Sequence, residues 1–295
     1  GVVPGYYNLD NRAKRIETLL GEKEKNWSVK DMESIQLDTE SAFYKRIKER
    51  QVAVLKEIPA IQGDALSKKA FEAFEQWDGF HRLESKGAAV FYTLHYYLVK
   101  ATFKDELGED LFKAFLRTRL PDKAVLKIMD RKNSPWWDDR TTPEKESQQD
   151  IFLSAWFETL DSLKQAGGSD PEQWVWGDLH TVEYVHALGR KKPLDKLFNI
   201  GPFKVEGSRD VPNYQGFRIG PPPFEVYIGP STRRIFDFAD PDHSLGINPT
   251  GQSGYFFDSH FDDQAQMYLS GKYRTQLMNR TEIDKATVSL LKLTP

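Results

Sequence analysis

Near the end of the chain, a short block gathers the residue types of a serine hydrolase. Residues 247–264 include a possible nucleophile, base and orienting acids: Ser253, His260, Asp258, Asp262 and Asp263. Such enzymes place the serine on a Gly-x-Ser-x-Gly turn between a strand and a helix. Tyr255 stands where the second glycine of that turn would fall. The spacing therefore disfavours a triad built on Ser253.

The same block is typical of an ordered structural loop. Pro249 fixes one φ angle, and Gly251 and Gly254 permit positive φ. Asp258 or Ser259 is placed to cap a helix predicted over residues 258–270. A phosphate-binding loop is disfavoured, because no Lys-Ser or Lys-Thr pair follows the glycines.

The histidines do not follow a common metal-binding pattern. Neither His-Glu-x-x-His nor a grouping of two histidines with one carboxylate appears in the sequence. His180 and His186 flank a predicted strand and would share one of its faces, which favours a hydrogen-bonding or structural role. We therefore assign no metal ligand and no cofactor-binding residue.

Other charged groups also lack a specific chemistry. The basic runs 190–192 and 233–234 are flanked by turns and do not alternate with aromatic residues, so we expect solvated turns or intrachain salt bridges. The carboxylates at 138–139 and 262–263 are adjacent in sequence and would point apart, which disfavours a glycosidase pair. Gly1 has no nucleophilic atom and cannot act as an N-terminal nucleophile.

Composition sets wider limits on function. The 295 residues carry 41 Lys and Arg against 44 Asp and Glu, a net charge of -3. This balance predicts neither a nucleic-acid partner nor a membrane surface. Cysteine is absent, which excludes disulfides and thiolate chemistry. No run approaches the roughly 18 apolar residues of a membrane span, and the start lacks the pattern of a secretion signal.

Helical periodicity dominates residues 10–166, with apolar residues three or four apart. Ser28 is expected to cap one helix with Asp31 in its first turn. Asn8 or Asp10 is expected to cap the first helix, which Gly21 would end. This first helix is predicted over residues 12–20, and further helices over residues 41–58, 66–76, 87–103, 109–119, 121–130 and 144–165.

The pattern changes at residues 166–171, a cluster of Gly, Ser, Asp and Pro that indicates a linker or long loop. Beyond it, β-branched and aromatic residues alternate with turn residues, which predicts short strands. These strands are expected over residues 181–187, 214–219, 224–228, 234–238 and 288–293. The sequence thus predicts an α+β protein, helical first and β-rich afterwards.

A series of short motifs runs through the whole chain in a fixed order. The series comprises Arg-Ala-x-Arg-Ile-x-x-Leu-Leu at 12–20, Gln36-Leu37-Asp38, Trp77-Asp78-Gly79, Gly177-Asp178-Leu179-His180, His186-Ala187-Leu188-Gly189, Gly201-Pro202-Phe203, Gly207-Ser208, the run at 231–240, Gly251-Gln252-Ser253-Gly254, the run at 259–264, and Gly271-Lys272-Tyr273. In content and order the series resembles the penicillin amidase family of N-terminal-nucleophile hydrolases, in the middle and C-terminal parts of its β chain.

The resemblance implies a fold and a domain organisation. Residues 1–25 would be a connecting segment and a helix of the catalytic core, and residues 26–166 an all-helical domain. Residues 167–295 would be a β-rich region that completes the αββα sandwich of the core. Strands between residues 181 and 238 are then expected to expose edges or apolar faces, which a homodimer could cover.

The resemblance also implies an activity. Family members hydrolyse a linear amide between an acyl group and an amine, using the first serine of the β chain and an oxyanion hole that includes an asparagine. Both residues would lie upstream of this chain, so we expect the chain alone to be inactive. Arg12 matches the arginine that orients and electrostatically supports the active-site groups. An alternative is a non-catalytic interaction domain derived from an acylase.

The remaining expectations follow from the same resemblance. The partners would be the upstream remainder of the acylase, namely its α chain and the first part of its β chain, and a small amide substrate. The calcium site of the family would lie largely outside this chain. The location would be periplasmic or secreted, and the acyl group could belong to a β-lactam, an acyl-homoserine lactone or a lipopeptide.

Overall fold

The computed structural model describes residues 10–294. Within this range the helices are α1 (Asn11–Gly21), α2 (Val29–Leu37), α3 (Ala42–Lys56), α4 (Ala60–Gly63), α5 (Ala65–Glu75), α6 (Lys86–Leu116), α7 (Leu120–Ile128), α8 (Gln148–Gly167), α9 (Trp176–Leu179), α10 (Asp195–Phe198), α11 (Ala265–Leu269) and α12 (Arg280–Ala286). The strands are β1 (Thr181–Tyr184), β2 (Ile200–Lys204), β3 (Arg233–Ile235), β4 (Leu245–Ile247) and β5 (Arg274–Thr275). Helices with small sheets make this an α+β fold, as the sequence predicts.

The contacts divide the chain into two compact units. We call residues 10–22, 38–183 and 201–229 the helix-rich unit, and residues 23–37, 184–200 and 230–294 the sheet-bearing unit. The domain bounds predicted from the sequence, 1–25, 26–166 and 167–295, remain a prediction. Residues 1–9, with the suggested cap Asn8, lie outside the described residues.

The helix-rich unit is built around α6, which packs along α8 and α5. Its core is dominated by aromatic side chains that are almost wholly buried, among them Trp137, Trp156, Trp174, Trp176, Phe74 and Phe91. Such side chains remove large apolar areas from water and provide much of the stability of a core.

Most of the predicted helices begin at a residue whose side chain caps the first turn. Ser41 accepts a hydrogen bond from the Tyr44 amide at the start of α3. Ser147 begins α8 in a capping box with Asp150. The helices predicted at 87–103 and 109–119 are the two arms of α6, which kinks where Gly108 has φ of 67°. A glycine adopts this conformation without steric cost, so the predicted break is confirmed as a kink.

Three of the strands predicted after residue 200 do not form. Residues 214–219 and 224–228 form no ladder, and only single bridges join Gly216 to Ile228 and Val226 to Val182. The amides of Phe224 and Val226 instead donate to the carbonyls of Leu179 and Thr181, at 2.6 and 2.8 Å. The strand predicted at 288–293 is also wrong, since these residues have no regular structure.

The sheet-bearing unit contains a three-stranded antiparallel sheet in the order β3-β4-β5. Arg233 pairs with Ile247, and Leu245 pairs with Thr275. Helix α2 is tied to this sheet through Gln36, whose side-chain amide donates to the Arg234 carbonyl at 2.9 Å. The first residue of the Gln-Leu-Asp motif therefore has a structural role in this unit.

None of the described helices is both long enough and apolar enough to span a membrane.

Candidate functional site

The polar block at 247–264 does not assemble a catalytic triad. The Ser253 hydroxyl accepts a hydrogen bond from the Tyr255 amide at 3.1 Å. The exposed His260 ring is bonded through Nδ1 to Asp263 at 2.9 Å. Within residues 10–294, no hydrogen bond joins the Ser253 hydroxyl to the His260 ring. The geometry agrees with the sequence in disfavouring a serine hydrolase here.

The glycines of this block act differently from the prediction. Neither Gly251 nor Gly254 is among the described residues with positive φ. Gly251 instead allows close approach, because a Cβ there would lie 1.8 Å from the His260 carbonyl oxygen. That carbonyl accepts from the amides of Gln252 at 2.9 Å and Ser253 at 3.1 Å.

These loop bonds also overturn the helix predicted over 258–270. The His260 carbonyl would have to accept from the amide four residues later to continue a helix. Because loop amides already occupy it, residues 258–264 form turns, and only α11 at Ala265–Leu269 is helical. The Asp258 carboxylate accepts from the His260 amide at 2.7 Å and caps no helix.

One residue of the basic run at 233–234 is buried, whereas Arg234 is exposed. Arg233 is only 6% exposed, and its guanidinium lies 4.0 Å from the centroid of the Tyr268 ring. It also donates to the Tyr268 carbonyl at 2.8 Å. This arginine is therefore an anchor between β3 and α11, contrary to the expected solvated turn. The run at 190–192 is exposed, as predicted.

His180 and His186 are not on one strand, because β1 ends at Tyr184. The His180 ring is fully buried, stacks on Trp176 and bonds through Nδ1 to the Phe224 carbonyl at 2.7 Å. Burial lowers the pKa of His180 to about 3. The hydrogen-bonding role expected for it is confirmed. Within residues 10–294, no group of three or more His, Asp or Glu side chains is arranged to hold a metal ion.

The two arginines of the first motif lie on α1 and have different surroundings. Arg12 is exposed, and its guanidinium lies 5.5 Å from the centroid of the Tyr214 ring. Arg15 is bound on both edges: it bonds twice to Asp38, at 3.0 and 2.7 Å, and its Nη1 lies 2.8 Å from Glu40. The bidentate bond to Asp38 raises the pKa of Arg15. Arg15 therefore fixes α1 to the segment that follows α2.

Asp38 extends this attachment to a second segment. Its backbone carbonyl accepts from the Asn213 amide at 2.9 Å, and its carboxylate also accepts from the Glu40 amide at 3.2 Å. Three parts of the helix-rich unit thus converge on one aspartate: α1, the residues before α3, and the loop at 207–215. Asp38, the last residue of the Gln-Leu-Asp motif, therefore links the helix that carries Arg12 to the loop that carries Tyr214.

Behind Tyr214 lies a group of buried charges that sequence reasoning missed. We call it the buried ionic cluster, and its members are Tyr44, His95, Arg119, Asp122, Arg209 and Asp210. Asp122 lies 3.0 Å from His95 Nε2 and 3.6 Å from Arg209 Nη2. Asp210 lies 3.0 Å from Arg119 Nη2 and accepts from the Tyr44 hydroxyl at 3.2 Å.

The two carboxyl groups of the cluster respond differently to burial. Burial alone would raise the pKa of Asp122, but the charge of Arg209 and the His95 hydrogen bond outweigh it and lower the pKa. For Asp210, burial prevails over the charge of Arg119 and raises the pKa. The adjacent charges Arg209 and Asp210 precede the apolar Val211, but the local sequence does not indicate their distant partners Asp122 and Arg119.

Comparison with known proteins decides the family. The profile described as penicillin amidase matches residues 2–285. The chain belongs to the penicillin amidase family. Its fold is also similar to a solved structure, the thermostable penicillin G acylase from Alcaligenes faecalis in orthorhombic form. The TM-score is 0.53 at 15% identity, over 98% of this chain and 54% of that one. The family and the α+β class predicted from the sequence are confirmed.

Similar curated members of the penicillin amidase family are named acyl-homoserine lactone acylase QuiP. The protein from Pseudomonas aeruginosa is 27% identical over 304 residues, covering 92% of this chain and 36% of that relative. The protein from Pseudomonas fluorescens is 29% identical over 296 residues, covering 96% and 35%. The chain therefore spans about a third of the length of these relatives.

Proposed function

We propose that this chain is part of an acylase that hydrolyses a linear amide through an N-terminal serine supplied by the rest of the protein. The observation that carries the proposal is the family match over nearly the whole chain. It is supported by the acylase names of the relatives, of which the chain spans about a third. On this proposal the chain contributes positioning groups and not the nucleophile, so the chain alone does not hydrolyse amides.

In this proposal Arg12 is the group that the chain presents to the reacting centre. Attack on an amide carbonyl develops negative charge on its oxygen, and a preorganised cation stabilises that charge when water is excluded. A guanidinium suits the role because it stays charged and offers donors in a fixed plane. Arg15 does not compete for it, since Asp38 and Glu40 occupy its donors. Arg15 and Asp38 are then positioning residues that hold α1.

The names of the relatives support a proposal for the substrate class. We propose an N-acyl-homoserine lactone as the first candidate and the amide of a penicillin as the second. The partner of the chain would be the upstream remainder of the acylase, with its serine and its oxyanion-hole asparagine. A calcium ion bound mainly by that remainder and a periplasmic or secreted location belong to the same proposal.

The test compares Arg12→Gln with Arg12→Lys in the complete protein. We expect Arg12→Gln to lower kcat/KM for acyl-homoserine lactone about 100-fold, the order seen when one transition-state donor is removed. Lys keeps the charge but not the planar fork, so it should restore part of the activity. Lys14→Gln is the matched control, because this exposed lysine on α1 forms a surface ion pair with nearby Asp10.

A second arm assays the 295-residue chain by itself on both substrates. No hydrolysis above background is expected, and adding the upstream remainder should create activity. Hydrolysis by the chain alone, unchanged by removal of trace complete enzyme, would refute the proposed source of the nucleophile. A complete protein without activity on either amide would favour the non-catalytic interaction domain.

A further inference from the structure

A cavity in the helix-rich unit is lined by four arginines and no carboxylate. It has a volume of about 430 Å³ and lies between residues 116–120, where α6 ends and α7 begins, and residues 209–227. Its size is within the range of small-molecule sites. The arginines are Arg117, Arg119, Arg209 and Arg218. We propose that this cavity binds a small oxyanion, a molecule that carries a carboxylate or phosphate group.

The strongest evidence is the state of Arg209. This residue is 4% exposed, and it lines the cavity. Within the described part of the chain, Nε and Nη1 of this guanidinium have no hydrogen-bond partner. Leaving buried donors of a charged group unpaired is costly. Because this guanidinium belongs to a residue that lines the cavity, an oxyanion bound there would lie beside its uncompensated charge.

The charges around the cavity give it a positive excess. Arg119 is paired with Asp210 at 3.0 Å, and Arg209 lies 3.6 Å from Asp122. These two carboxylates belong to the buried ionic cluster and do not line the cavity. Four guanidinium groups are therefore opposed by two carboxylates, and the resulting positive potential in the cavity favours an anion.

The remaining two arginines are exposed at the cavity. Among residues 10–294, no carboxylate lies within 4.0 Å of the guanidinium of Arg117 or Arg218. The Arg218 guanidinium rests 5.1 Å from the centroid of the Tyr227 ring, which orients it without neutralising it. A buried guanidinium with exposed cations beside it is a suitable arrangement for binding an anion.

The binding experiment uses inorganic phosphate and acetate as probes. Each is titrated into the 295-residue chain at low ionic strength, and chloride at the same ionic strength serves as the blank. We expect saturable heat in calorimetry and a shift of the Arg209 Nε–H resonance in nitrogen–proton spectra. Phosphate binding without acetate binding would identify a phosphate site, and the reverse order a carboxylate site. Absence of saturation with both probes would overturn the proposal.

Variants locate the binding. The double variant Arg117→Gln, Arg218→Gln leaves the buried ionic cluster intact and should raise the Kd about tenfold or more, as expected for losing charge-assisted contacts. Arg131→Gln is the matched control, since this exposed arginine of the same unit does not line the cavity. Equal weakening in the control would mean that the probes sense only net charge and would refute the site.

A final arm separates two sources of the oxyanion. The same titration is made with the complete protein, in which an acidic side chain of the remainder could occupy the cavity. Binding by both proteins supports a small-molecule ligand. Binding by the chain but not by the complete protein would overturn the small-molecule proposal and assign the cavity to a carboxylate of the remainder.

Discussion

Acid should unfold the helix-rich unit through two histidines that are buried without charge. His180 donates through Nδ1 to the Phe224 carbonyl, because a carbonyl oxygen can only accept. Its Nε2 is buried and has no hydrogen-bond partner among the described residues. His81 is bonded at 2.7 Å to the Thr39 carbonyl and at 2.9 Å to the Tyr92 hydroxyl. Burial lowers the pKa of His180 to about 3 and that of His81 to about 4.

The size of the effect follows from proton linkage. In the unfolded chain a histidine has a pKa of about 6.5. Below that pH the histidine is protonated in the unfolded state but stays neutral in the folded state. The free energy of unfolding is therefore unaffected by titration of these histidines above about pH 6.5. Below that pH it declines by about 1.4 kcal/mol per pH unit for each histidine. At pH 5 each histidine should have lowered the free energy of unfolding by about 2 kcal/mol relative to pH 7. The decline ends near the folded pKa of each group.

The assay is urea unfolding followed by tryptophan fluorescence between pH 7 and pH 4.5. Six of the seven tryptophans belong to the helix-rich unit, with Trp27 the exception, so the signal reports mainly on that unit. His180→Phe keeps an aromatic ring against Trp176 but cannot titrate. It should lower the stability at pH 7 and reduce the pH slope by about 1.4 kcal/mol per unit.

The control is His260→Phe, because the exposed His260 ring is in contact with water in the folded state. This variant should leave the pH slope of tryptophan unfolding nearly unchanged. The decisive quantity is the slope and not the absolute stability, since Phe also loses the bond to the Phe224 carbonyl. If His180→Phe and the parent protein show the same slope, the buried neutral histidine is not the origin of acid sensitivity, and the reasoning is refuted.

Two further predictions concern backbone features. Ser147→Ala removes the capping box of α8 and should lower the free energy of unfolding by about 1 kcal/mol, measured by urea titration; Ser169→Ala, at an exposed site, should change it by less than about 0.5 kcal/mol. Gly207→Ala should cost at least about 2 kcal/mol, because φ is +96° and the new Cβ would lie 2.2 Å from the Asn213 carbonyl oxygen. Gly254→Ala has no neighbour within 4 Å and is the control; equal losses in both glycine variants would contradict the steric argument.

Helices were the most predictable part of this protein, because their signals are local. Ser41, Ser147 and the break at Gly108 can each be identified from a few neighbouring residues. A cap needs only an oxygen that reaches an amide two or three positions away. The bounds of α3, α5 and α7 therefore fall close to those predicted.

The predictions failed where distant backbone groups compete for the same partner. A helix over 258–270 is compatible with its local sequence, but the amides of Gln252 and Ser253 occupy the carbonyl of His260. The segments at 214–219 and 224–228 have strand-like composition but pair at single bridges only. Strand formation depends on a partner, which composition does not specify.

The buried ionic cluster shows a similar limit for charges. Asp122 and Arg209 are 87 positions apart, and nothing in either local sequence indicates that they meet. Such a pair becomes visible only when the fold brings α7 beside the loop at 207–215. Burial without a partner would be costly for each of these ions, so the pairing is a consequence of the fold and also a requirement for it.

The motif on α1 illustrates how structure separates two residues that sequence treats alike. Arg12 and Arg15 are both part of the pattern that identifies the family, and they lie one helical turn apart. Arg15 is bonded to Asp38 and Glu40 and is largely buried, so its substitution should act on stability and on the position of α1. Arg12 is exposed against the Tyr214 ring, so its substitution should change stability little, and under the proposed function it should lower the activity of the complete protein. Arg15 thus secures the helix from which Arg12 can be presented, and the two roles can be separated by measuring stability and activity in the same variants.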